Sequence, residues 1–262
     1  MNESELLFCE ILGCDRASLY RKHSLSLDKD KSALISSALK RRISSEPIQY
    51  ILGKTEFMGL EFKLSPGVFI PRPETEILVE AAMDIVHNSQ RTVQNILDLG
   101  TGSGCIAVSL AKLMKNVRVV AADISKEALE IAEQNARLNN VEIGLFQSDL
   151  FASRELRARD YELIISNPPY IPSAEIDDLQ PEIRYEPRRA LDGGKDGLDF
   201  YRRIINAAGR HLKIGGFLIM EMGFNQKSAI KNIFQNSGNF EIIKIVKDYN
   251  NIDRVIVTGR VR

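Results

Sequence analysis

The sequence has no excess of either charge and few cysteines. Its 262 residues include 35 basic and 35 acidic side chains, so no global field would draw the protein to nucleic acid or to an anionic membrane. The three cysteines are odd in number, and their spacing matches neither a disulfide framework nor a zinc site. We therefore expect a protein of the reducing cytoplasm without a bound metal.

Long apolar runs and a basic leader are also missing. The first nine residues contain acids where a secretory leader has basic residues, and no apolar run approaches the roughly 18 residues of a membrane-spanning helix. We expect neither secretion nor membrane insertion. At 44% hydrophobic residues, a chain of this length can form one or two domains that fold without disulfides or a metal.

The first seventy or so residues are typical of short helices. Asp15 and Asp28 are candidate N-caps, Gly13 and Gly53 are candidate C-terminal stops, and Pro47 suits a first helical turn. These features predict a small helical domain at the start of the chain.

A β-hairpin is predicted around Met58-Gly59, where apolar residues flank a two-residue turn. Pro71-Arg72-Pro73 then interrupts the chain, and a helix is predicted over residues 74–86. We place the domain boundary at this point. Residues 1–72 form the helical domain with its hairpin connection, and residues 73–262 form the larger domain.

From Asn95 onward, apolar strands alternate with amphipathic helices. This alternation predicts βαβ units and a parallel sheet, which is an α/β fold. The last two strands are close enough in sequence to pair as a hairpin. Strands are predicted over residues 96–99, 117–122, 141–146, 163–165, 217–222, 241–246 and 254–258, and helices up to 114 and over 125–138, 198–212 and 227–235.

A glycine-rich turn follows the first of these strands. The sequence Asp98-Leu99-Gly100-Thr101-Gly102-Ser103-Gly104 lies between a buried strand and an apolar helix, at the edge where doubly wound sheets bind ligands. Glycine permits positive φ and a close approach of backbone to ligand, and a helix N-terminus offers free N–H groups. The alternative is a tight turn without a ligand.

The spacing of the glycines distinguishes between cofactors. Cys105 follows Gly104 and breaks the G-x-G-x-x-G dinucleotide pattern, and no lysine follows as in a phosphate loop. Asp123, at the end of the next strand, can accept both hydroxyl hydrogens of a ribose. The alternative role for Asp123 is the N-cap of the next helix, although Ser125 is also available for that role. Asp149, which we place at the end of the third strand, suits an adenine amine or a turn cap equally. S-adenosylmethionine fits this set.

The segment Ser166-Asn167-Pro168-Pro169-Tyr170 follows another buried strand at the same edge. Both prolines lack an N–H, so with the Asn167 side-chain oxygen the loop presents mainly acceptors. Such a loop can hold both hydrogens of a planar NH2 group, while the Tyr170 ring lies on a conjugated plane or near a sulfonium. The methyl acceptor is therefore predicted to be an amide or a nucleobase amine. A simple strand-ending turn is the alternative.

These residues resemble the protein-(glutamine-N5) methyltransferases, which modify the Gly-Gly-Gln loop of peptide chain release factors. The resemblance covers nearly the whole chain. It is most specific in the Pro-Arg-Pro-Glu-Thr-Glu segment at 71–76 combined with Asn167–Tyr170. Further matching segments are residues 46–53, 100–104, 191–194 and 196–198.

The resemblance implies a seven-stranded, Rossmann-like class I methyltransferase domain with an antiparallel last strand, and a helical domain that helps to dock the release factor. Leu150 stands where similar proteins often have an aromatic residue, which implies aliphatic packing on adenine. Candidate cofactor-binding residues are Gly100, Thr101, Gly102, Ser103, Gly104, Asp123, Asp149, Leu150 and Asn167. Candidate catalytic and substrate-binding residues are Asn167, Pro168, Pro169 and Tyr170, with Arg72 and Glu74 on the substrate side.

Two other functions fit parts of the pattern. In an adenine-N6 DNA or RNA methyltransferase, a flipped base would present the same planar NH2 to the same acceptors, although a chain without net charge must neutralise phosphates with a local basic patch only. A non-catalytic adapter is the other, and the intact Asn-Pro-Pro-Tyr segment disfavours it. We expect a monomer that acts on a protein substrate, without membrane association or stable nucleic-acid binding.

Overall fold

The computed structural model describes residues 2–21, 27–89, 92–157 and 160–262. Four helices form the N-terminal part of the chain. They are α1 (Glu3–Leu12), α2 (Arg16–Arg21), α3 (Lys29–Ile43) and α4 (Ile48–Leu52). Asp15 and Asp28 accept from the backbone N–H of Ser18 and Lys31, as N-caps do. Gly13 and Gly53 end α1 and α4 with φ of 64° and 71°. These predictions are confirmed, whereas Pro47 is the N-cap residue of α4 and not part of its first turn.

The hairpin consists of β1 (Lys54–Phe57) and β2 (Leu60–Lys63). Met58 and Gly59 both have positive φ, of 53° and 70°, which is the geometry of a two-residue turn that matches strand twist. The Met58 N–H donates to Glu76 Oε1 at 2.6 Å and fastens the turn to the following helix. The predicted hairpin is therefore confirmed.

A seven-stranded sheet follows, in the order β5-β4-β3-β6-β7-β9-β8. All neighbouring strands pair in parallel except at β9, which is antiparallel to both β7 and β8. This confirms the predicted α/β fold and its antiparallel last strand. The elements are α5 (Pro73–Asn88), β3 (Asn95–Leu99), α6 (Cys105–Leu113), β4 (Arg118–Asp123), α7 (Lys126–Leu138), β5 (Gly144–Gln147), α8 (Arg154–Arg157), β6 (Tyr161–Ser166), α9 (Asp199–Ala208), β7 (Leu212–Glu221), α10 (Lys227–Ser237), β8 (Phe240–Lys247) and β9 (Asp253–Arg260).

The predicted boundaries of two of these elements were wrong. Strand β5 ends at Gln147, so Asp149 lies two residues beyond it. Strand β7 already begins at Leu212, which we had assigned to the preceding helix, because Gly215-Gly216 separates its first residues from the apolar run that reveals it. The segment between β6 and α9 contains three short 3-10 turns, at 176–178, 181–185 and 188–190, that no periodic pattern indicated.

Apolar layers cover both faces of the sheet. Alternate residues of each strand point to opposite faces: Ile96 packs with α5 and α6, whereas Leu97 packs with α9 and α10. The layers hold β3, β4, β6 and β7 side by side, so their carboxyl ends meet at one edge. None of the described helices has the length and apolarity needed to span a membrane.

The N-terminal helices contact the long segment after β6. Arg42 pairs with Glu182 at 2.7 Å, and the Tyr185 hydroxyl donates to the carbonyl of Ser44 at 2.7 Å. Arg72 is the N-cap residue of α5. The division of the chain after residue 72 stays a prediction.

Replacing Gly104 with alanine is expected to destabilise the larger domain by about 1–3 kcal/mol, because the added Cβ would lie 2.9 Å from Ala132 Cβ on α7. Gly238→Ala is the matched control: it has the same left-handed φ but open space around the added Cβ, so it should cost only about 1 kcal/mol. Urea unfolding measures both. Equal losses would contradict the packing role of Gly104.

Candidate active site

The carboxyl ends of β3, β4 and β6, together with the residues that follow β5, surround a cavity of about 240 Å³. Nearly all of the predicted site residues line it, although they come from distant parts of the sequence. Gly104 and Glu74 are not among the lining residues. The predicted residues in the lining are Arg72, Gly100, Thr101, Gly102, Ser103, Asp123, Asp149, Leu150, Asn167, Pro168, Pro169 and Tyr170.

The glycine-rich turn forms one wall of the cavity. Gly100 and Gly102 have φ of 71° and 55°, and a Cβ built on either would meet nothing within 4 Å. These two positions therefore need glycine for their backbone conformation and leave space beside the backbone for a ligand. Gly104 has a different reason to be glycine, because it starts α6 in direct contact with Ala132 of α7.

Asp123 connects the glycine turn to the next helix. Its Oδ2 accepts from the Gly102 N–H and its Oδ1 from the Ser125 N–H, both at 2.9 Å. Ser125 itself caps α7 by accepting from the Ala128 N–H. The carboxylate lines the cavity and retains lone pairs for further donors, as a ribose-binding role requires.

Asp98 is a buried acid directly behind the glycine turn. Its Oδ2 accepts from the Thr101 hydroxyl at 2.6 Å, and the side chain is completely buried. Burial raises the pKa of the Asp98 carboxyl to about 7, with the charge of Asp123 adding to the effect and the Thr101 hydrogen bond opposing it. This buried carboxyl thus supports the turn through its hydrogen bond with Thr101.

Asp149 and Leu150 lie at the far end of the cavity. Asp149 forms an ion pair with Arg203 of α9 at 2.7 Å. Leu150 adopts an unusual positive φ of 52°, and its carbonyl accepts from the Ser148 hydroxyl at 2.7 Å. With Ile124 opposite in the lining, this end presents aliphatic surface beside a carboxylate.

The chemistry of the residues in this part of the cavity is compatible with S-adenosylmethionine. The open glycine turn leaves room beside its backbone, the Asp123 carboxylate suits ribose hydroxyls, and the aliphatic end beside Asp149 suits adenine. The residues that would hold it are Gly100, Thr101, Gly102, Ser103, Asp123, Asp149 and Leu150.

The opposite part of the cavity is formed by the Asn-Pro-Pro-Tyr loop after β6. The Asn167 Nδ2 donates to Thr75 Oγ1 at 3.1 Å, which leaves the amide oxygen for a donor in the cavity. Pro168 and Pro169 have no N–H to present. The loop therefore offers acceptors to any group between it and the cofactor wall.

A buried acid, Glu221, lies at the end of β7 behind this loop. The Thr75 hydroxyl donates to its Oε2 at 2.8 Å, and the Tyr170 hydroxyl lies 3.4 Å from its Oε1. Burial raises the pKa of the Glu221 carboxyl to about 7, although Thr75 and Arg254 oppose the shift. The acid is thus linked to the first and the last residue of the loop.

Three glycines make room for Tyr170. A Cβ on Gly193 would lie 2.8 Å from Tyr170 Cα, one on Gly197 would collide with the Tyr170 carbonyl, and one on Gly223 would lie 2.9 Å from its ring. Gln226 Nε2 donates to that same carbonyl at 2.8 Å. The glycines at 193 and 197, which matched the family pattern, thus serve packing behind the loop.

Arg72 belongs to the rim of the cavity. Its guanidinium pairs with Glu186 and lies over the Phe69 ring, 5.0 Å from the centroid. Glu186 is buried and also accepts from the Ile70 N–H at 3.1 Å. Burial raises the pKa of Glu186 against the opposing charge of Arg72. This ion pair ties the residues before α5 to the segment after β6.

Sequence reasoning missed three polar side chains of the site, namely Asp98, Thr75 and Glu221. Asp98 and Glu221 could have been found as acids within or at the end of apolar strands, at the edge where the other site residues were placed. Thr75 lies inside the proline-rich segment that was already quoted. Its role depends on contacts with β7, which no spacing indicated.

Two family models match the chain. The one described as Methyltransferase small domain matches residues 59–250, and the one described as PrmC N-terminal domain matches residues 1–53. A solved methyltransferase from Pyrococcus furiosus superposes with a TM-score of 0.57 at 18% identity, covering 90% of this chain and 100% of the other. This likeness shows the shared fold.

Curated relatives are much more similar in sequence. The release factor glutamine methyltransferase of Geobacter sulfurreducens is 43% identical, covering 99% of this chain and 89% of that protein. The enzyme of the same name from Thermodesulfovibrio yellowstonii is 39% identical, covering 98% and 91%. Such identity over the whole length is far more than a shared fold requires. The protein is therefore an S-adenosylmethionine-dependent methyltransferase and belongs to the release factor glutamine methyltransferase family.

Proposed function

We propose that this enzyme methylates the N5 amide nitrogen of the glutamine in the Gly-Gly-Gln motif of peptide chain release factors. The family to which the chain belongs supports this substrate. The observation that carries the proposal is the acceptor loop, where Asn167 turns its amide nitrogen toward Thr75 and keeps its oxygen for the cavity. A primary amide has two hydrogens that such a loop can bind.

An amide nitrogen is a poor nucleophile because its lone pair is shared with the carbonyl. Asn167 and the carbonyls of the following prolines would accept its two hydrogens and aim electron density at the methyl. S-adenosylmethionine supplies an electrophilic methyl carbon on a sulfonium. Most of the acceleration would come from positioning, which can contribute roughly 7–11 kcal/mol. The proton leaves to water after the transfer, so no strong general base is needed.

The substrate would enter over the rim at Arg72, which the buried Glu186 holds in place. We propose that Arg72, which lines the cavity, contacts the substrate, and that Glu74, in the first turn of α5 and outside the lining, acts on the substrate side. The helical domain, joined to the segment after β6 by the Arg42–Glu182 ion pair, would help to dock the release factor. A translation factor as substrate also supports action in the cytoplasm.

The first experiment compares methyl acceptors. The purified protein is incubated with methyl-labelled S-adenosylmethionine and an intact release factor, the same factor with its Gly-Gly-Gln glutamine changed to alanine, or adenine-containing DNA and RNA. We expect label on the intact factor alone, at the glutamine amide by mass spectrometry. Label on nucleic acid alone would replace the proposal with the adenine-N6 function.

Asn167→Ala should separate chemistry from cofactor binding. Loss of the acceptor is expected to lower kcat by roughly 100-fold, while the S-adenosylmethionine Kd measured by calorimetry changes little. Asn232→Ala, on the exposed face of α10, is the matched control and should alter neither value. A parallel loss of cofactor affinity in Asn167→Ala would mean that Asn167 serves mainly the cofactor.

Asp123→Ala should have the opposite effect. It removes the acceptor for ribose and releases the Gly102 and Ser125 amides, so cofactor affinity is expected to fall roughly 10- to 100-fold. Asp84→Ala, an exposed acid on α5, controls for lost charge. Unchanged cofactor affinity in Asp123→Ala would remove Asp123 from the cofactor site.

A further inference from the structure

A chain of hydrogen bonds runs from the Asn-Pro-Pro-Tyr loop into the protein. Asn167 Nδ2 donates to Thr75 Oγ1, and the Thr75 hydroxyl donates to Glu221 Oε2. Thr75 and Glu221 are 2% and 1% exposed, so water does not compete for these bonds. The three side chains come from β7, α5 and the loop after β6.

The direction of this chain follows from its donors and acceptors. Ionised Glu221 only accepts, so in that state the single hydroxyl hydrogen of Thr75 points at Glu221. The Thr75 oxygen can then only accept from Asn167, which requires the NH2 group of that amide. The amide oxygen is thereby turned to the cavity. If the Thr75 hydrogen pointed at Asn167 instead, the amide would flip and present a donor to the substrate.

We propose that Thr75 and Glu221 are positioning residues that fix the Asn167 amide with its oxygen toward the methyl acceptor. The inference rests on the proposed function, because only a substrate with hydrogens to donate needs that orientation. Tyr170, at 3.4 Å from the other Glu221 oxygen, is held by the same acid. One carboxylate therefore orients both ends of the loop.

Valine at position 75 keeps the shape of threonine and removes the hydroxyl. Thr75→Val is expected to lower kcat on the release factor roughly 10- to 100-fold, with cofactor Kd unchanged, and Thr75→Ser should recover most of the loss. Thr258→Val is the matched control, because it removes an equally buried hydroxyl that donates to the Leu218 carbonyl in the middle of the sheet. Its kcat should equal that of the native enzyme.

The pH profile tests the role of the acid. Protonated Glu221 can donate to Thr75 and reverse the chain, and burial raises its pKa to about 7. We expect the kcat of the native enzyme to rise as pH increases through about 7. The ratio of the native kcat to the kcat of Glu221→Gln should rise over the same pH range. Asp98 titrates in both proteins and cancels in the ratio. The groups that face Glu221 are Thr75 and Glu74 of α5, Cys105 of α6, Tyr170, Tyr201 of α9 and Arg254 of β9.

Exchange of the Asn167 side-chain NH2 hydrogens tests the inference without any turnover. In nitrogen-15 spectra of the free protein, the Asn167 NH2 signals are identified by their absence from the spectrum of Asn167→Ala. Their hydrogens should exchange with water more slowly than the NH2 hydrogens of the exposed Asn232. Thr75→Val should accelerate this exchange and Thr75→Ser should not.

The outcomes separate the two proposals. A native enzyme that labels the release factor, together with a Thr75→Val variant that keeps full kcat and slow exchange, would overturn the positioning role alone. A native enzyme that labels no release factor would overturn the proposed function, and the exchange rates would still decide whether Thr75 fixes the amide.

Discussion

Parallel pairing of β3, β4, β6 and β7 is the constraint on which the site depends. Each strand runs in the same direction, so the residue that ends it arrives at one edge of the sheet. Asp123 and Asn167 thus line one cavity and Glu221 lies directly behind its Asn-Pro-Pro-Tyr loop, although almost a hundred residues separate Asp123 from Glu221. The apolar layers on both faces fix the strands, and Thr75 of α5 joins Asn167 to Glu221.

Polar side chains at this edge are partly excluded from water, which determines how each one behaves. Asp123 stays among backbone N–H donors at the cavity wall, whereas Asp98 and Glu221 are fully buried and have their pKa raised to about 7. Glu186, near the rim, is stabilised by Arg72. Acidic residues therefore serve as a ligand acceptor, a support for the turn or an ion-pair partner, according to how deeply each side chain is buried.

The sequence predicted what depends on local pattern. Strand and helix alternation, the Met58-Gly59 turn and the glycine-rich loop all follow from short-range preferences, and the structure has them. It did not predict contacts that depend on tertiary packing: Thr75 with Glu221, Arg72 with Glu186, or the 3-10 turns after β6. The position of Asp149 was wrong because β5 ends at Gln147, and Ser148 and Asp149 lie in the turn that follows it.

The glycines around Tyr170 bear on how this loop could be moved between proteins. A ring and its backbone occupy space that Gly193, Gly197 and Gly223 leave empty, and these come from two segments that follow the loop at a distance. A graft of the four loop residues into another scaffold would therefore lack the space that Tyr170 needs. The glycines at the positions of 193, 197 and 223 would have to be introduced together with the four loop residues.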